Sequence, residues 1–113
     1  MIRVGHAKQK SAEGHVIYCG RTFGGFRNIG LGNPFPASDP QWPTKYEAWL
    51  REQYKMNEGV RQLLWELACR HRQGEVLVLK CWCIKGDVQW QPGDAVVCHT
   101  QIVAKLIAKL AAL

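Results

Sequence analysis

The stretch Glu75-Val-Leu-Val-Leu-Lys-Cys-Trp-Cys-Ile84 constrains the fold more than any other part of the chain. A near-continuous apolar run of strand length suits a strand covered on both faces, the situation of a central strand in an α/β sheet. Alternation puts Leu77, Leu79, Cys81 and Cys83 on one face and Val76, Val78, Lys80 and Trp82 on the other. Two shorter runs rich in β-branched and aromatic residues, Ile2 to Val4 and His15 to Cys19, read as further strands, separated by a polar Lys8 to Gly14 turn.

Helical periodicity fills the space between His15–Cys19 and the central strand. Thr44 with Glu47 three residues later has the pattern of a capping box, and Tyr46, Trp49, Leu50 and Tyr54 then share one helical face. Asn57 is placed to cap a second helix, with Val60, Leu63, Leu64 and Leu67 as its apolar stripe and Gly74 just past its end. Trp65 and Cys69 belong to this helix as core or flank. A last helix is expected from about Thr100, burying Ile102, Val103, Leu106, Ile107 and Leu110.

The expected fold is therefore a small single α/β domain over residues 1–113, a mostly parallel sheet with flanking helices in the order β-β-α-α-β-α. A length of 113 residues suffices for a core without staples. The strand around Tyr18 and the strand around Leu79 are joined through two helices, so they should be parallel neighbours. That pairing brings two loops, Arg21 to Phe35 and Cys81 to His99, to one carboxyl edge of the sheet, where open α/β folds bind ligands.

Arg21 follows a strand and has a guanidinium fork suited to a phosphate or carboxylate. Gly30 and Gly32 allow close backbone approach, and Asn33 before Pro34 is held extended. Cys98-His99-Thr100 stands at the expected start of the last helix, where unpaired N–H groups favour an anion or a thiolate. Arg21, Asn33, Cys98, His99 and Thr100 are accordingly the candidate ligand-binding residues, and no catalytic residue is assigned. Thr100 as a plain cap, with His99 in solvent, is the alternative at the helix start.

Five cysteines in a chain expected in the cytoplasm are reduced, which leaves packing, metal binding or catalysis as their uses. Cys81, Cys83, Cys98 and His99 make a chemically sensible donor set for zinc. Their spacing argues against it: structural knuckles place two residues between paired cysteines, and adjacent Cys98 and His99 do not readily converge on one ion. No cofactor and well under one zinc per chain is therefore the expectation, with Cys81 and Cys83 as small buried hydrophobes.

Several short patterns occur together and in order: Tyr18-x-Gly20-Arg21, Gly32-Asn33-Pro34-Phe35, Tyr46-x-x-Trp49-Leu50, Cys81-Trp82-Cys83 and Cys98-His99. In this the chain resembles a divergent member of domain-of-unknown-function family 4326 from Val16 to about Leu110. The resemblance implies a small α/β protein of bacteria or their phages, with no settled activity. The interval between Cys83 and Cys98 is longer than is usual in that family, and Thr100 stands where glycine or alanine is common.

The function expected from these features is binding of a phosphate-bearing, nucleotide-like small molecule at the carboxyl edge of the sheet. A nucleic-acid-binding module is the second reading, since the net charge is +6 and Trp42, Trp82 or Trp90 offer stacking surfaces. Against it, the basic residues are spread along the chain with no block of like charge. A protein-interaction factor is the third. Ile102 to Leu113 contains Lys105 and Lys109 and is too short to cross a bilayer, and the first ten residues lack the apolar core of a secretory signal. No membrane partner is expected, and the place of action is the cytoplasm, that of a host if phage-encoded.

Overall fold

The computed structural model describes residues 1–10, 14–84 and 86–113. It contains β1 (Ile2–His6), β2 (His15–Tyr18), α1 (Trp42–Met56), α2 (Glu58–Arg72), β3 (Leu77–Cys81), β4 (Asp87–Gln89) and α3 (His99–Ala111). Among these residues no helix is long and apolar enough to cross a membrane.

The apolar run is the central strand, as its composition predicts. β3 lies between β2 and β1 in a sheet of order β2-β3-β1-β4 and is parallel to both neighbours. Ile17 sits beside Leu79 and Tyr18 beside Lys80, so the two strands joined through α1 and α2 are parallel and adjacent. All five β3 residues are buried. Leu77, Leu79 and Cys81 join Ile2, Val4, Ile17 and Cys19 in the core with the helices. On the other face Val78 is fully buried and Lys80 nearly so, with the Lys80 ammonium donating to the carbonyl of Gln9. The segment after β1 therefore crosses that face of β3, and the expected turn over Lys8 to Gly14 lies in part outside the described residues.

Two expectations need correction. The sheet is mixed, because β4 pairs antiparallel with β1 at the edge. This strand has only three residues, Asp-Val-Gln, too few and too polar for an apolar run to announce it. It occupies the long interval between Cys83 and Cys98. The second concerns α1, which starts at Trp42 with Gln41 as N-cap and no side-chain cap. Pro43 fits the first turn, where its missing N–H is not needed. Thr44 thus lies inside the helix, and Glu47 turns outward to Lys105 at 2.8 Å on α3.

The other helix ends follow the sequence. Asn57 Oδ1 accepts from the Val60 N–H at 3.2 Å, and Gly74 leaves α2 at φ +90°. Trp65 packs against the core, and Cys69 is exposed.

Candidate metal centre and adjoining cleft

Three strand ends, His6, Tyr18 and Cys81, meet at one edge of the sheet, and the start of α3 is packed against them. β3 ends at Cys81 and the chain bends through Trp82 to Ile84, carrying Cys83 out of the strand. Cys98 is the N-cap of α3, with extended backbone (φ −144°, ψ 147°), and His99 is the first helical residue. Side chains of neighbours on a strand point to opposite faces. A switch from extended to helical backbone between Cys98 and His99 breaks that alternation.

As a result the donor atoms of Cys81, Cys83, Cys98 and His99 all lie within 4.8 Å of one another. Adjacent Cys98 and His99 do converge, against the expectation from their spacing, for the backbone reason just given. Cys81 Sγ is 3.2 Å from Cys83 Sγ, and Cys83 Sγ is 2.7 Å from Cys98 Sγ. His99 Nδ1 is 3.8 Å from Cys81 Sγ and 3.9 Å from Cys98 Sγ. Ligands on a zinc tetrahedron lie roughly 3.5–3.8 Å apart, from Zn–S near 2.3 Å and Zn–N near 2.0 Å. The sulfur–nitrogen separations fit that figure, and the sulfurs need to part by roughly 0.5–1 Å to fit it.

The tautomer of His99 is set from behind. Its Nε2 lies 2.6 Å from the backbone carbonyl of Cys19, which only accepts, so Nε2 carries a proton and Nδ1 is the nitrogen that faces the sulfurs. This is the outer-shell arrangement that orients histidine ligands at metal sites. The ring edge also meets Tyr46 at 5.1 Å between centroids, and the Tyr46 hydroxyl donates to the Leu31 carbonyl at 2.7 Å. His99 is buried, so the reading with His99 in solvent does not hold.

Without a metal, three sulfurs so close cannot all be charged. Hydrogen bonds from Cys83, then Cys98, hold Cys81 far below the usual thiol range despite burial. Hydrogen bonding to Cys81, then to Cys83, together with burial, pushes Cys98 up. For His99, burial opposes the charged ring, but hydrogen bonds to Cys81 and Cys83 outweigh it and push it up to about 9. The Cys81 thiolate is thus favoured beside a His99 imidazolium, and a divalent cation bound to the cluster would replace that proton as the balancing charge. Cys19, just behind, is pushed up by burial and by Cys81 and serves as core.

Beside the cluster runs a cleft of about 360 Å³. Arg21, Asn33 and His99 all line it, together with Cys81, Cys83 and Trp82. Of the remaining candidates, Cys98 and Thr100 are fully buried and do not line it. The Thr100 hydroxyl has no hydrogen-bond partner among the described residues. The N–H groups of Val97 and Cys98 donate to Gln101 Oε1 at 2.7 and 2.9 Å, so the start of α3 is capped from within.

Arg21 is partly committed. Its Nε donates to the Asn33 carbonyl at 2.5 Å and its Nη2 to the Phe35 carbonyl at 2.6 Å, while Asn33 Oδ1 accepts from the Phe35 N–H at 2.9 Å. The fork therefore clamps the Asn33-Pro34-Phe35 turn, which gives the wall its shape. Arg21→Ala is expected to cost about 1–2 kcal/mol of stability, the worth of charge-assisted hydrogen bonds at an exposed site, measured by urea unfolding. A loss below a few tenths of a kcal/mol removes the clamp reading.

Trp82, between two cysteines of the cluster, is held by polar and aromatic contacts on several sides. Its Nε1 donates to the Tyr18 hydroxyl at 2.9 Å, and its ring meets Phe23, Phe26 and His6 edge-on at 5.2–5.7 Å. Lys8 Nζ stands 5.6 Å from the ring centroid. Gly24, at φ +59°, lies so close that a Cβ there would be 2.8 Å from the indole. Trp82 thus fixes the loop that carries Phe23 to the cleft.

Fold and site together define a small α/β domain with a three-cysteine, one-histidine cluster that could hold a metal at the carboxyl edge of its parallel strands. The chain belongs to the family described as Domain of unknown function (DUF4326), which matches residues 2–109. No curated protein and no solved structure matches it.

Proposed function

We propose that the chain is a zinc-binding domain whose metal forms the floor of a small-ligand cleft. The observation that carries this reading is the convergence of four soft donors within 4.8 Å, with His99 Nδ1 aimed at the sulfurs by the Cys19 carbonyl. Thiolate and imidazole donors on a tetrahedron suit zinc among the common divalent ions. This reverses the zinc-free expectation drawn from spacing.

For the cleft, a small molecule carrying a phosphate or similar anionic group is the proposed occupant, supported by Arg21 and Asn33 on one wall. A nucleic-acid role draws less support. Trp42 and Trp90 pack against the core and the Trp82 ring packs against the Phe23–Phe26 loop, so these tryptophans offer little free surface for base stacking.

Elemental analysis of protein purified without added metal tests the zinc reading. About one zinc per chain is expected, lost in both Cys98→Ser and His99→Ala. Metal-free native protein, or zinc kept by both variants, removes it.

A further inference from the structure

The three sulfurs of the cluster are not equivalent: two of the cysteines line the cleft, and one of those two is exposed. Cys98 is fully buried and Cys81, although it lines the cleft, is 5% exposed, whereas Cys83 lines the cleft and is exposed. Cys83 Sγ lies 3.2 Å from Cys81 Sγ and 2.7 Å from Cys98 Sγ, at the solvent side of the cluster. Of the three, it is the sulfur a reactant can approach. Three thiolates and a neutral imidazole around Zn²⁺ leave a net charge of −1, which the sulfurs share.

The cleft is built for a reactant of a particular kind. Phe23, Phe35, Ala37 and Trp82 make it largely apolar where it meets Cys83, while Arg21 supplies a cation on the same lining. Arg21 Nη1 has no hydrogen bond among the described residues once Nε and Nη2 hold the turn. An apolar group joined to an anionic leaving group matches both halves.

We propose that zinc-bound Cys83 is a nucleophile that accepts an alkyl group from the alkyl ester of a strong oxyacid, such as a phosphate or sulfonate ester. This rests on the zinc reading above and goes beyond it, since a purely structural site needs no reactive sulfur. Cys83 Sγ attacks the alkyl carbon, an S–C bond forms as the C–O bond breaks, and the electron pair leaves with the oxyanion toward Arg21. No proton moves, because the sulfur is already a thiolate. The thioether left behind is neutral, so the site loses one negative charge.

Cys69, exposed on α2 and outside the cluster, is a comparator within the same chain. The wild-type protein, with its zinc content measured on the same sample, is treated at pH 7 with limiting methyl methanesulfonate and mapped by peptide mass spectrometry. In zinc-loaded protein Cys83 is expected to be methylated about tenfold or more faster than Cys69, since a free thiol is only a few per cent thiolate at this pH. Cys81 and Cys98 should stay unmodified. After chelation the selectivity should collapse. Zinc-loaded protein in which Cys69 reacts as fast as Cys83 overturns the proposal and leaves the zinc reading standing. The same preference for Cys83 with and without metal also overturns it, because exposure alone then explains the reactivity. Protein that holds no zinc removes both.

Discussion

On the zinc reading, stripping the metal with a chelator is expected to lower the melting temperature by on the order of 10–20 °C while leaving a folded domain. A ligand that binds only the native state stabilises it by RT ln(1 + [L]/Kd), about 4 kcal/mol at a thousandfold excess over Kd, and a domain of this size shifts roughly 4 °C per kcal/mol. The site joins the end of β3 to the start of α3, so its loss loosens that junction first. The fold should persist, because Leu77 and Leu79 of β3 and Val103 and Ile107 of α3 are fully buried in a core independent of the metal. Calorimetry before and after chelation, with zinc and then magnesium added back, reads the effect. Recovery by zinc alone is expected. An unchanged melting temperature after verified metal removal would mean that the cluster contributes nothing to the native state.

The second large effect belongs to the scaffold. Leu79→Ala is expected to cost about 2–5 kcal/mol, the range for a buried leucine truncated in a well-packed core. Leu79 is fully exposed to neither solvent nor ligand: it is buried on β3, beside Ile17 of β2 and Val4 of β1. Cys81 is two residues along the same face, so the cavity opens near the cluster without removing a donor. Chemical denaturation should show the loss, and elemental analysis should show zinc still bound to the folded fraction. A cost below about 1 kcal/mol would mean that the strand relaxes into the space and that the core is not close-packed there.

Much of this architecture was legible in the residues. The run through Leu77 and Leu79 announced a central strand, and the helical stripes between it and His15 required a crossover, which together placed the edge where Arg21, Asn33 and His99 do line one cleft. What escaped had local causes. β4 is shorter than any pattern can register, and Thr44 with Glu47 imitates a capping box inside a helix that begins at Trp42 and accepts Pro43 in its first turn. The convergence of Cys98 with His99 depended on a change in backbone conformation between two adjacent residues, which spacing does not encode. A signal was nonetheless available: a residue just before a helical stripe is an N-cap, and an N-cap does not obey strand alternation. The commitment of Arg21 to two carbonyls depended on where the Asn33-Pro34-Phe35 turn comes to rest, a tertiary fact.

The partners of His99 divide sharply by distance along the chain. All four donors fall between Cys81 and His99, whereas the carbonyl that fixes the His99 tautomer belongs to Cys19, 80 residues away. Closing the longer loop costs roughly 1.3 kcal/mol more in chain entropy than closing the donor set, from the logarithmic dependence on loop length. On the zinc reading, a short C-terminal stretch can therefore gather the ion before β2 has found its place beside β3. Arrival of β2 then supplies the Cys19 carbonyl and locks a ligand already in hand. On that reading the donor set is a local clasp, and the Cys19 carbonyl ties it to the register of the first half of the chain.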